Sequence, residues 1–299
     1  MRSSILVSAS CMCMALIVAS CENDTSQEAT TPPPPTGGNV DLTLSRDDVD
    51  CTPEGLGDDE SVSTVLAYYV VDGDLGAVCF GEDDQTLIEA WEVLAAIVPE
   101  DQLQDLAVFA GFESLEEGDD LTLAFVSAHD EDGNIFQMSV NVAESEANPD
   151  ESRLTMIHEF SHIFTQRPSQ LDRAEDPETC EIYWNGDGCF YDDSIMNLWI
   201  EDFWEDYLAD VDLDEPPTVE DGEQRCSIDQ SFFGEYAAST PEEDFAEAFS
   251  AYVLQLPPAT PEQQEKYDWF ESQPGLAEFR SLAIDAGFGP QENTFDVCG

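Results

Sequence analysis

Two of the three histidines in this 299-residue chain lie four positions apart, within residues 154–165, LTMIHEFSHIFT. An α-helix turns by about 100° per residue, so His158 and His162 lie on one face of such a helix. There, both imidazoles can bind one metal ion through nitrogens at about 2.0–2.1 Å. Glu159 lies at the edge of that face, where its carboxylate can hold a water molecule. The stretch therefore predicts a helix that carries half of a metal site.

The opposite face of this predicted helix is apolar. Its hydrophobic side chains are Met156, Ile157, Phe160, Ile163 and Phe164. This spacing is typical of a helix that packs against a core. The helix is thus expected to lie between the core and a cleft, and a further segment must supply the third metal ligand.

A second helix pattern offers a carboxylate for this site. Thr240 and Pro241 are typical of an N-cap and a first helical position. The helix predicted over residues 243–252 places Glu243 and Glu247 on the arc opposite its phenylalanines. Two histidines and one glutamate are the protein ligands of a common catalytic zinc site. The alternative is a solvated face or a capping box with Thr240, because acidic pairs are common in a chain with 67 Asp and Glu.

These two motifs together resemble those of zinc peptidases. The first has the pattern H-E-x-x-H, and residues 235–249, EYAASTPEEDFAEAF, resemble the second motif of a family of zinc-binding metallopeptidases. The same passage is similar to the catalytic domain of anthrax lethal factor. The resemblance implies one Zn²⁺ held by His158, His162 and Glu243, with Glu247 orienting a ligand histidine.

The resemblance also implies catalytic roles for two residues. Glu159 is the expected general base, and Tyr236, seven residues before Glu243, faces the metal. The implied activity is hydrolysis of peptide bonds in a peptide or protein substrate. One alternative is a surface protein that binds zinc without catalysis, against which the intact Glu159 argues. Another is a structural protein whose acidic coat binds calcium.

The remaining patterns indicate an α+β domain, rich in helices, with a small antiparallel sheet or hairpin before the histidine helix, and the resemblance implies that this domain is zincin-like. Residues 61–71 suggest a strand, and residues 121–127 and 135–142 suggest a β-hairpin. In zinc peptidases of the thermolysin type an edge strand before the helix lines the cleft, which implies this role for residues 135–142. His129 lies at the hairpin turn and is expected to be solvated, not a ligand.

Further helices are indicated by apolar spacing and by caps. They are predicted over residues 86–98, 101–109, 195–208, 262–271 and 276–286. The histidine helix is expected to begin with Asp150 or Ser152 as its N-cap.

The N-terminus has the features of an export signal. Arg2 precedes an apolar run over residues 12–19, which makes residues 1–20 a signal peptide. Residues 18–21, VASC, resemble the bacterial lipobox, and this implies a lipidated Cys21 followed by a Pro-rich tether over residues 21–45. The metallopeptidase-like domain then occupies residues 46–299. Glu22 favours anchoring in the outer membrane of the cell envelope, while the alternative is ordinary cleavage with Cys21 in a disulfide.

Nine cysteines are present. Cys11 and Cys13 are expected to leave with the signal, and the lipobox resemblance implies that Cys21 carries the lipid. Six remain, and an even number in an exported protein favours three disulfides. Fifteen pairings of six cysteines are possible. We expect Cys51–Cys79, Cys180–Cys189 and Cys226–Cys298, since each pair joins neighbouring segments or ties down the C-terminus. A cysteine zinc site is the alternative, but the chain has no C-x-x-C spacing.

Acidic residues dominate the charge, with 67 Asp and Glu against 8 Lys and Arg and a net charge of -59. Such a surface repels nucleic acid, so that class of partner is excluded. The charge fits solubility in salty surroundings, where ions screen self-repulsion. Calcium binding or a preference for basic substrates are alternatives, although residues 130–134 and 185–188 are only fragments of a calcium loop and serve equally well as turns.

Overall fold

The computed structural model describes residues 38–57, 61–115, 121–130, 132–175, 177–211 and 219–292, together with Phe295 and Cys298. The predicted signal, Cys21 and most of the tether lie outside the described residues. Within the described ranges the chain is α+β, with nine α-helices and a five-stranded sheet. The predicted α+β class is therefore confirmed. No helix in these ranges is long and apolar enough to cross a bilayer.

The main sheet is mixed. Its strands are β1 (Val62–Val71), β2 (Asp74–Phe80), β3 (Leu106–Ser114), β4 (Ala124–Ala128) and β5 (Phe136–Asn141). They lie in the order β2-β1-β3-β5-β4. Neighbouring strands are antiparallel except β3 and β5, which are parallel. The predicted antiparallel hairpin before the histidine helix is present as β4 and β5, within a larger mixed sheet. Two short strands, β6 (Leu171–Asp172) and β7 (Cys189–Phe190), pair separately.

The helices cover most of the rest of the described chain. They are α1 (Gln85–Ile97), α2 (Glu100–Leu103), α3 (Val142–Ala147), α4 (Pro149–Thr165), α5 (Ile195–Phe203), α6 (Val219–Ile228), α7 (Pro241–Val253), α8 (Pro261–Ser272) and α9 (Leu276–Asp285). The predicted helices at α1, α4, α7, α8 and α9 are confirmed, and α5 ends five residues before the predicted end at residue 208. The strand β2 and the helices α3 and α6 had no predicted counterpart.

The prediction of a helix over residues 101–109 was wrong beyond Leu103. The chain turns there into β3, the central strand of the sheet. The first seven residues of β3 are all buried, because the sheet is covered on both faces. A strand of this kind shows a continuous apolar run without alternation, which periodicity does not distinguish from a short buried helix.

The helix that carries both histidines begins earlier than predicted. Pro149 occupies its first turn and Asn148 precedes it, so neither Asp150 nor Ser152 is the cap. Proline fits this position because its missing N–H has no partner in the first turn. Asp150 instead lies within the first turn, where the helix dipole favours a negative charge.

The main core lies between one face of the sheet and the helices. In this layer α4 contacts β4 and β5 on one side and α7 on the other. A smaller cluster of Leu56, Ala67, Ala107, Val108 and Ala110 covers the opposite face of the sheet. The helix α4 thus packs against both the sheet and α7.

The three predicted disulfides are present. The Cα atoms are 5.9 Å apart in Cys51–Cys79, 5.6 Å in Cys180–Cys189 and 5.1 Å in Cys226–Cys298. The first joins the segment before β1 to β2, the second joins two cysteines nine positions apart before α5, and the third ties the C-terminus to α6. Covalent closure of these segments restricts the unfolded chain and so stabilises the fold.

Candidate metal centre

The two helices that carry the predicted ligands pack directly against each other. The ring of Phe164 on α4 meets those of Phe245 and Phe249 on α7 edge-on, with centroids 5.9 and 5.3 Å apart. These rings belong to the main core. Because the apolar positions of both helices interlock, their polar positions are also brought together.

Three predicted ligands form a compact triangle. The Nε2 atoms of His158 and His162 are 3.3 Å apart, and Glu243 Oε2 lies 3.0 Å from the first and 3.7 Å from the second. Tetrahedral zinc with bonds of about 2.0–2.1 Å separates its ligand atoms by about 3.3 Å. The triangle therefore fits one face of a tetrahedral site. Within the described part of the chain no other group of His, Cys, Asp and Glu meets in this way.

The electrostatics of the triangle favour a positive charge at its centre. Burial lowers the pKa of His162, but the carboxylates of Glu243, Glu159 and Glu242 together outweigh burial and raise that pKa to about 9. For Glu243 itself, burial is outweighed by His162 and His158, which hold its pKa far below the usual range. Two imidazole nitrogens so close together need a proton or a metal ion between them. The donor set thus fits a divalent metal, whose identity the residues leave open.

Tyr236 flanks the triangle on the side of His158. The two rings are stacked, with centroids 6.3 Å apart and 28° between their planes. Burial and the charge of Glu243, to which its hydroxyl hydrogen-bonds, raise the pKa of Tyr236 well above its usual value. The phenol therefore keeps its proton and can act as a donor.

Glu159 lies half-buried beside the same triangle. Burial raises the pKa of its carboxyl group, while the neighbouring His158 and His162 oppose that rise. The backbone of Val126 in β4 also hydrogen-bonds to the carboxylate and favours its charged form. A carboxyl group under these opposing influences is suited to take up a proton and return it.

The strand beside Glu159 is β4, which corrects the prediction for residues 135–142. Those residues form β5, an internal strand between β3 and β4, whereas β4 is the edge. The Leu123 carbonyl accepts the N–H of Asn141, and the N–H of His129 donates to the carbonyl of Ile135. Odd-numbered residues of β4 thus bond to β5, and even-numbered ones direct their N–H and C=O groups to the open edge. Val126 is one of them, which explains how it reaches Glu159.

Glu243 and Glu247 do not lie on a solvated face. Glu243 is 9% and Glu247 4% exposed, because α7 is buried along its whole length. Thr240 is the N-cap, as predicted, and its hydroxyl accepts the N–H of Glu243 at 3.3 Å. The cap fixes the backbone of Glu243 while its side chain turns towards α4.

Sequence reasoning missed the two carboxyl groups on either side of Glu243. Glu242 accepts a hydrogen bond from the Tyr183 hydroxyl at 2.9 Å, and burial raises its pKa to about 7. Asp244 forms a fully buried ion pair with Lys266, with 2.6 Å between Oδ1 and Nζ. The signal that could have found both is that α7 carries only one charged residue, Glu247, after Asp244. A helix with so few exposed polar positions is buried all round, and so are its acids.

The third histidine is not solvated as expected. His129 is partly buried at the end of β4, where its Nε2 accepts the backbone N–H of Asp50 at 3.1 Å. Its Nδ1 lies 3.4 Å from the side-chain oxygen of Gln137. It is not one of the three grouped residues of the metal centre.

Both calcium-loop fragments close turns. The Asp130 carboxylate accepts hydrogen bonds from the backbone and side chain of Asn134 at 2.7 and 2.8 Å. The Asn185 side-chain oxygen accepts from the backbone of Asp187 and Gly188, at 3.1 Å in each case. These oxygens are thus used within their own turns.

No protein-family model, curated protein or solved structure matches this chain. The resemblance to zinc metallopeptidases therefore depends on the two motifs alone. What the site can do must be argued from its own geometry.

We expect Glu243→Ala to weaken metal binding, with Zn²⁺ as the probe, by at least about 100-fold because it removes one of three ligands. Glu247→Ala should weaken it only by about 10-fold, as expected for a residue that orients a ligand. Competition with a chromophoric chelator measures both affinities. A Glu243→Ala protein that keeps wild-type affinity, or a larger loss in Glu247→Ala, would show that the third ligand is wrongly assigned.

Proposed function

We propose that this protein is a zinc-dependent peptidase that hydrolyses peptide bonds by activating a water molecule. The observation that carries the proposal is the buried triangle of His158, His162 and Glu243 with Glu159 directly beside it. A zinc site that serves only stability has no need of a neighbouring carboxyl group poised to exchange a proton. The H-E-x-x-H motif also supports this reaction, because it is typical of zinc peptidases.

Zinc, when bound, supplies a Lewis acid that polarises the substrate carbonyl and acidifies water. Glu159 accepts the proton of the attacking water and delivers it to the leaving amine. Burial favours its protonated form and the Val126 backbone favours its charged form, so the group can hold the proton between the two steps. Tyr236 keeps its own proton and donates a hydrogen bond to the oxygen that becomes negative.

The open edge of β4 offers a place for an extended peptide. Ala124, Val126 and Ala128 direct their backbone groups away from β5, and no strand of the described residues pairs with that edge. Of these three residues, Val126 already hydrogen-bonds to Glu159 through its backbone. A peptide that adds to the edge forms main-chain hydrogen bonds that do not depend on its sequence. Since Val126 reaches Glu159, such a peptide would place its scissile bond next to the base.

Glu159→Gln tests the catalytic role without changing the shape of the side chain. We expect zinc affinity close to wild type and a fall in kcat of about 10²–10⁴-fold, because the general base is lost. Cleavage of a quenched fluorescent casein substrate, with a chelator control, measures the rate. Glu151→Gln, on the same helix but about two turns away, is the matched control.

Two outcomes of this test contradict the proposal in different ways. A Glu159→Gln enzyme with the wild-type rate would show that Glu159 is not the base. Wild-type protein that binds zinc but cleaves neither casein nor shorter peptides would favour the alternative of a non-catalytic zinc-binding surface protein.

We further propose that the protein works outside the cytoplasm, held in the bacterial cell envelope by a lipid on Cys21. The three disulfides support this location, since such bonds persist in oxidising compartments. Cys21 itself lies outside the described residues. The support for the anchor is the coincidence of the apolar signal with the VASC motif at residues 18–21.

Cys21→Ser should release the protein from the membrane fraction of a bacterium that performs lipidation, because several acyl chains on one residue hold a protein firmly on a bilayer. Cys11→Ser, a change within the signal, is the matched control and should leave fractionation unchanged. Immunoblots of separated membrane and soluble fractions measure the distribution. Equal membrane association of Cys21→Ser and wild type would refute the anchor.

A further inference from the structure

The first turn of α7 carries three consecutive buried carboxyl groups, each held by a different part of the chain. Glu243 faces the histidines of α4. Glu242 contacts the loop closed by the Cys180–Cys189 disulfide, and Asp244 contacts α5 and α8. The candidate ligand is thus flanked on both sides by anchored neighbours.

On one side of Glu243, the Asp244 carboxylate accepts three hydrogen bonds. Its Oδ2 accepts the indole N–H groups of Trp204 at 2.9 Å and Trp199 at 3.2 Å, and Oδ1 accepts from Lys266 at 2.6 Å. Asp244 and Lys266 are 0% and 1% exposed. Charge-assisted bonds of this kind hold a helix firmly where every partner is satisfied.

The anchor on the Glu242 side is a single hydrogen bond from a rigid donor. Tyr183 donates its hydroxyl to Glu242 Oε2 at 2.9 Å, and both side chains are buried. The Tyr183 ring lies nearly parallel to that of Phe190, with centroids 6.0 Å apart. The Phe190 N–H also donates to the Tyr183 carbonyl at 3.2 Å. The loop therefore fixes the hydroxyl through its own packing.

This loop is also connected to α4, the helix that carries the histidines. It follows α4 through β6, which pairs with β7 at the end of the loop. Tyr191 donates its N–H to the carbonyl of Gln170, at 3.0 Å, just before β6. The two ligand helices are thus connected by a disulfide-closed loop as well as by their direct packing.

We propose that Tyr183 and Glu242 are a positioning pair for the metal centre. The loop holds the first turn of α7 in the rotation that keeps Glu243 within reach of both imidazoles. A side-chain atom lies about 5–6 Å from a helix axis, so a rotation of about 10° moves it by about 1 Å. Metal and catalytic sites need their groups held within about 0.5 Å. The inference rests on the zinc binding of the proposed function, not on peptidase activity.

Tyr183→Phe removes only the hydroxyl and keeps the ring stacked on Phe190. We expect zinc affinity, measured by chelator competition, to fall by about 10-fold, as is typical when a residue supporting a metal ligand is lost. Tyr191→Phe removes a hydroxyl from a side chain near the same loop that is 38% exposed, and it should leave zinc affinity unchanged. Thermal unfolding of both metal-free variants checks that each is folded.

Two variants of Glu242 test whether the contact itself matters. Glu242→Gln keeps an oxygen that accepts from Tyr183 and should retain affinity within about threefold of wild type, whereas Glu242→Ala should match Tyr183→Phe. The double variant Tyr183→Phe/Glu242→Ala should bind zinc no more weakly than either single variant, because both remove one interaction.

The outcomes separate this proposal from the metal centre as a whole. Tyr183→Phe with wild-type affinity, or equal losses in Glu242→Gln and Glu242→Ala, would overturn the positioning pair while leaving the zinc site intact. Wild-type protein that binds no zinc would overturn the metal centre and the positioning pair together.

Discussion

The packing of α4 against α7 is the contact on which the site depends, because these two helices carry all three candidate ligands. Phe164 fits against Phe245 and Phe249 in the core, and this apolar contact fixes how the helices face each other. As a result, the polar faces of the two helices bring the ligand atoms into a triangle with sides between 3.0 and 3.7 Å. The hydrophobic interlock supplies the stability, and the ligand geometry follows from it.

Burying several carboxyl groups around one site is costly, and the fold compensates each in a particular way. The helix dipole places partial positive charge at the start of α7, where Glu242, Glu243 and Asp244 lie. Tyr183 and Lys266 partner the outer two acids, while the histidines partner the middle one. An unpaired buried charge costs several kcal/mol. These partners are therefore part of what allows α7 to be buried.

Local patterns predicted much of this arrangement. The Thr240 cap and the two ligand helices depend on short-range spacing, and Cys51–Cys79 and Cys180–Cys189 join segments that lie close in the chain. Cys226–Cys298 joins residues 72 positions apart, and its prediction depended on the position of Cys298 at the C-terminus. The parallel pairing of β3 with β5 and the edge position of β4 depend on how distant segments meet, which no local pattern states. Glu242 was missed for the same reason, since its partner Tyr183 is 59 positions away in the chain.

A crystal structure of the zinc-loaded protein, with anomalous diffraction recorded at the zinc absorption edge, tests the central claim most directly. The account predicts a single strong anomalous peak bonded to His158 Nε2, His162 Nε2 and one carboxylate oxygen of Glu243, at about 2.0–2.2 Å. A peak bound by Glu247 in place of Glu243, a peak remote from α4, or no peak in zinc-saturated crystals would contradict it.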